Sequence, residues 1–184
     1  MVKAWKLRGG VAAAGGALLL LAGCGGSPAP LLAEATAPCP HVAVLADAAD
    51  LTRFRPGGGR DLTAMTLNAS LAGFQAKCDY APKHAGLDVT LTPAFTAERG
   101  PAAQGRTAQI PYMVAVAEGE SIRDRAAYVL QVEFPPNVAR VRSEGEELLI
   151  RLPGNPQEAA GKTIWLGFVL TPEELALNRE RGPR

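Results

Sequence analysis

Histidine, cysteine and aromatic residues are all scarce in this chain. Its 184 residues include two His, three Cys, three Met, five Phe, three Tyr and two Trp. Three cysteines are too few for a disulfide-dense scaffold or a four-thiolate zinc site. Neither sign of charge is in excess, with 19 Lys and Arg against 18 Asp and Glu, so the basic field of a nucleic-acid-binding protein is missing. No apolar run reaches the roughly 20 residues that a membrane-spanning helix needs. From residue 39 onward the only serines are Ser70, Ser121 and Ser143, and none stands in a G-x-S-x-G elbow. No pattern for a metal or an organic cofactor emerges.

The N-terminus is the most informative stretch. Lys3, Lys6 and Arg8 precede an uncharged segment, residues 9–23, that ends "LLLLAG" before Cys24. A basic n-region, a short apolar segment and small closing residues are the parts of a secretory signal. Leu21-Ala22-Gly23-Cys24 resembles the lipobox of bacterial lipoproteins. The resemblance implies that the Cys24 sulfur is acylated, that residues 1–23 are removed, and that Cys24 becomes a lipidated, palmitate-bearing N-terminus. In that family an Asp after the cysteine tends to retain the protein in the inner membrane. Gly25 stands there instead, so an outer-membrane lipoprotein facing the periplasm is expected, its membrane partner engaged through Cys24. Two or more acyl chains anchor stably where one does not.

Residues 24–38, "CGGSPAPLLAEATAP", read as a flexible tether because Gly, Ser, Pro and Ala offer little to bury. Loss of residues 1–23 would leave 16 basic against 18 acidic groups, a net charge of −2. Residues 39–184 then form one domain of 146 residues, large enough to bury about two thirds of its unfolded surface.

With Cys24 acylated, Cys39 and Cys78 remain, and an exported pair reads as a disulfide. The rival reading, a metal held by both cysteines with His41 and His84, matches no zinc spacing.

Period-two alternation dominates the domain. It predicts strands over 41–46, 87–95, 110–116, 128–134, 148–152 and 164–170. Between 62 and 80 the apolar set changes parity, which predicts a bulge near Gly73. About seven strands with Pro/Gly-rich breaks give an all-β class: an antiparallel β-sandwich, immunoglobulin-like, although the Cys…Trp…Cys spacing is absent. Thr171-Pro172-Glu173-Glu174 predicts a capping box opening a short C-terminal helix. "ADAADLTRF" is expected to add a helical turn or two.

Candidate binding residues are few. "RFRPGGGRD" places Arg53, Arg55 and Arg60 around three glycines, a set of guanidinium forks and backbone amides suited to an anion such as a lipid phosphate or a glycan carboxylate. The loop lacks the Lys-Ser/Thr of a nucleotide site, and the alternative is an ordinary exposed turn. Trp165 and Val169 oppose Ile164, Leu166 and Phe168, so the last strand is apolar on both faces; either the C-terminal helix covers it or Trp165 belongs to an interaction patch. The carboxylates of residues 118–120 and 144–147 read as solvated turns.

"LTRFRPGGGRDLT", "AERGPAA", "FPPN" and "GFVLTPEELALNR" are together similar to a family of uncharacterised proteobacterial lipoproteins. That resemblance implies no activity, substrate or catalytic residue. Two function classes follow: a non-enzymatic, tethered module binding an envelope protein, lipid or glycan, or an envelope hydrolase whose groups come from distant positions.

Overall fold

The computed structural model describes residues 36–182. Residues 36–184 form a compact unit of their own. Cys24, the signal segment 1–23 and most of the tether 24–38 lie outside the described residues.

Nine strands among the described residues form two sheets. The first sheet has the order β1-β9-β5-β6, built from β1 (His41–Val44), β9 (Thr163–Phe168), β5 (Thr107–Glu118) and β6 (Ser121–Glu133). The second is β2-β3-β4-β7, with β2 (Asp50–Phe54), β3 (Met65–Tyr80), β4 (Gly86–Arg99) and β7 (Arg140–Glu144), and β8 (Leu148–Pro153) also pairs with β4. Every pairing is antiparallel except β1 with β9. This order departs from the ABED and CFG sheets of an immunoglobulin domain.

The sheets pack face to face, as alternation demands. Leu87, Val89, Leu91 and Phe95 of β4 meet Ile110, Tyr112, Ile164 and Phe168 in one core. Phe95 lies 5.0 Å from Tyr112 and 5.8 Å from Phe168 by ring centroids. Each such buried side chain contributes roughly 1.5–3 kcal/mol. The expected bulge is present: β3 shifts register against β4 between Leu71 and Gly73, with Gly73 at φ 140°. One unpaired residue turns the inward set from Leu67, Ala69 and Leu71 to Phe74 and Cys78.

Two strands exceed the expected count of about seven. β2 falls in "ADAADLTRF", where only Ala46–Ala48 forms a helical turn. β7 carries a single apolar residue, Val141, and is held at the edge of its sheet by pairs such as Arg140 Nη2 with Glu98 Oε2 at 2.6 Å. A short helix, α1 (Pro156–Ala160), is capped by Asn155.

Cys39 and Cys78 form a disulfide with Cα atoms 5.6 Å apart. It ties the residues leading into β1, in the first sheet, to β3 in the second. α2 (Pro172–Arg181) opens with the expected capping box: Thr171 Oγ1 accepts from Glu174 N, and Glu174 Oε2 accepts from Thr171 N. Asn178, buried on this helix, donates to Asp47 O at 2.9 Å and to Asp50 O at 2.7 Å. The helix therefore packs on β2 and the Ala46–Ala48 turn, not on the outer face of β9. That turn lies over Gly167 instead, with Ala48 Cβ 3.0 Å from where a side chain would begin.

Candidate anion-binding cleft

The chain crosses from the second sheet to the first through residues 100–106, and a cleft of about 400 Å³ opens beneath that crossing. Arg53 from β2, Arg55 just beyond it and Arg99 at the end of β4 bring three guanidinium-bearing side chains to its lining. Thr66, Thr107 and Gln104 add polar groups, and Leu67 and Phe134 give an apolar base. No carboxylate lines it among the described residues.

The three arginines are held differently. Arg53 Nε donates to Glu174 Oε1 at 3.0 Å and its Nη1 donates to Gln109 O at 2.9 Å. Its charge is thus matched by a carboxylate outside the cleft and its position is fixed. Arg55 makes no ion pair among the described residues and is exposed. Arg99 is half-buried, and its Nε is buried without a hydrogen-bond partner. A buried donor left unpaired costs about 1–3 kcal/mol. Arg55 and Arg99 therefore supply the uncompensated charge.

Arg60 lies elsewhere. It lines an adjoining hollow of about 300 Å³ with Glu173, Glu174 and Thr52, Arg53 and Thr66 lining both, and its Nη1 stands 3.8 Å from Glu180 Oε2. That hollow carries both signs of charge. Hydrogen bonds from the Glu173 amide and the Thr171 hydroxyl hold the Glu173 carboxyl below its usual range, with Arg60 adding to the effect. The glycine loop itself is ordered: Arg55 N donates to Ala64 O, and Gly58 N donates to Arg55 O. Asp61 does not pair with Arg60. It caps the Leu62–Ala64 turn through Thr63 and Ala64, and the bond from the Thr63 hydroxyl is the main cause of its lowered pKa.

Trp165 is half-buried on the outer face of the first sheet, directly across from Ala43 and Ala115. Ala115 stands six residues along β5 from Gln109, whose carbonyl accepts from Arg53. Val169, 41% exposed, Ile122 and Val129 leave apolar surface on the described part of the domain.

Among the described residues the histidines stand apart from the serines. His84 packs its ring on Tyr80, with centroids 4.7 Å apart, and neither histidine hydrogen-bonds to a serine or carboxylate among the described residues. No three His, Cys, Asp or Glu side chains gather there to hold a metal ion.

Sequence reasoning found Arg53 and Arg55 and missed Arg99. The run "TAER" ends a strand alternation, and only the fold folds it back beside Arg55. Compared with protein-family models, curated proteins and solved structures, the chain matches none.

Proposed function

We propose that this chain is a membrane-tethered, non-enzymatic binding module of the cell envelope, and that it recognises an anionic group of an envelope component in the cleft of Arg53, Arg55 and Arg99. One observation carries the reading: three arginines line a cleft that holds no carboxylate among the described residues. Charge-assisted hydrogen bonds are worth about 1.5–3 kcal/mol each, and a guanidinium fork fits the oxygens of a carboxylate or phosphate. The unpartnered Arg99 Nε supports the same reading, since it is a donor whose cost is already present.

The tether is the second part of the proposal. Acylation of Cys24 holds the domain at the periplasmic face of the outer membrane, where phosphates of lipid headgroups and acidic glycans are within reach. A thiolate is the nucleophile for acyl attachment and a hydroxyl does not replace it. Membrane fractionation of Cys24→Ser tests the anchor: the variant is expected to appear in the soluble fraction after a high-salt wash. Retention with the membrane under that wash contradicts it.

A further inference from the structure

A second cleft, of about 430 Å³, opens on the lateral side of the sandwich between the edge strands β6 and β8. Its origin is legible in the register. Val114 and Val116 point into the core from β5, and across from them β6 offers Ala126 and Asp124. A small side chain and a charged one stand where bulky apolar groups would close the two sheets. Residues Ser121–Ala127 of β6 are accordingly exposed.

The floor and the rim differ in chemistry. Val114, Val116, Tyr128, Ile150 and Leu152 form an apolar interior. Arg123, Arg125, Arg151 and Lys162 stand among the lining residues, against Asp124 as the single carboxylate. Arg123 is paired with Glu118 and Arg151 with Asp88. The side chains of Arg125 and Lys162 have no partner among the described residues, and Asp124 Oδ1 is occupied by the Arg125 backbone amide at 2.8 Å. Arg125 stands across from Ala115, on the face of β6 turned away from Val114 and Val116. The cleft thus pairs an apolar interior with one uncommitted cation, Lys162, and its volume falls in the range of about 300–1,000 Å³ typical of small-molecule sites.

We infer that the cleft between β6 and β8 binds a single-chain amphipathic anion, an alkyl chain seated on Val114, Val116, Ile150 and Leu152 with a carboxylate or phosphate head held by Lys162. The site is separate from the arginine cleft and does not rest on it. Such an anion exists free, as a fatty acid, or as a single-chain phospholipid, and the shared chemistry is the alkyl anion.

The test uses residues 36–184, which hold both sheets, their core and the disulfide. Anilinonaphthalene sulfonate, itself an apolar anion, reports occupancy by fluorescence, and dodecanoate, lysophosphatidylglycerol below its micelle concentration, dodecanol and acetate compete. Dodecanoate or the lysolipid is expected to displace the dye; the tighter of the two identifies the source. Dodecanol and acetate should each compete at least tenfold more weakly. Ala126→Phe, which fills an exposed edge position, and Lys162→Glu should each weaken the alkyl anion at least tenfold. Circular dichroism confirms that both variants fold. Failure of both alkyl anions to displace the dye overturns the inference, as does equal competition by dodecanol, or unchanged competition in either folded variant. Loss of anion binding at Arg55 and Arg99 would leave these results untouched.

Discussion

Arg53 Nε donates to Glu174 Oε1 at 3.0 Å across 121 residues of sequence, joining β2 to the first turn of α2. The same carboxylate closes the capping box through its other oxygen, so one side chain both starts the helix and docks it. Glu174 is 11% exposed and Arg53 35%; the pair is only partly screened. Glu174→Ala is expected to cost about 2 kcal/mol, combining a charged hydrogen bond with a lost cap. A double-mutant cycle with Arg53→Ala in urea should give a coupling of about 1 kcal/mol. Zero coupling would show that the helix docks by other means.

Beyond the chain itself, the disulfide is the one covalent cross-link between the sheets among the described residues. Reduction, or Cys39→Ala with Cys78→Ala, should lower the unfolding free energy by about 2–5 kcal/mol. Titration of two free thiols in the native, air-exposed domain contradicts the bridge.

Tyr112 is fully buried and stacks on Tyr128 at 5.3 Å. Burial first, and the nearby Glu146 carboxylate second, push its pKa up to about 12. The folded chain therefore keeps a proton that the unfolded chain gives up near pH 10. Stability from this group is complete below about pH 10 and falls as pH rises through about 12. Phenolate absorbance should show one late-titrating tyrosine that disappears in Tyr112→Phe, and that variant should lose less stability between pH 10 and 12. An upper titration limb unchanged in Tyr112→Phe would refute the assignment.

Gly145 joins β7 to β8 beneath the core aromatics. A Cβ there would lie 2.8 Å from Pro93 Cγ, 3.1 Å from Tyr112 Oη and 3.2 Å from Phe95 Cε2. Pro93 is a rigid ring and Phe95 is fully buried, so neither can give way cheaply. Gly145→Ala should destabilise by roughly 1–3 kcal/mol in urea unfolding; a change within about 0.5 kcal/mol, the size of an ordinary surface substitution, would mean that the backbone relaxes.

Where one face of a strand is buried, the alternation of residues announces it. Leu87, Val89, Leu91 and Phe95 could be placed on the core side of β4 from spacing alone, and the parity change at Gly73 foretold the bulge. The capping box at Thr171 and the Cys39–Cys78 bridge were equally legible, because each depends on local chemistry or simple counting. β2 and β7 were not. In β2, Leu51 and Thr52 are both buried, since α2 covers the face that alternation would leave to water, and Arg181 Nη1 donates to the Thr52 hydroxyl. β7 is an edge strand stabilised by charged cross-strand pairs, which look like loop composition in sequence. The arginine cleft was half legible. Arg53 and Arg55 lie two residues apart at the end of β2, but Arg99 joins them only through β3 and β4 pairing, and Arg60 is drawn away toward α2. The β6–β8 cleft depends on which residues of two distant strands face each other, and no local pattern carries that.

The central claim is that the cleft of Arg53, Arg55 and Arg99 binds an anion, and sedimentation of residues 36–184 with phosphatidylglycerol vesicles and with an acidic polysaccharide tests it most directly. Arg53 is left in place because it docks α2. Wild type should bind one of the two at low salt and release it as salt rises, since exposed charges are screened over about 8 Å at physiological ionic strength. Arg55→Gln with Arg99→Gln should weaken that binding by roughly tenfold or more per arginine. Equal binding by wild type and the double variant, or binding that is indifferent to salt, contradicts the account.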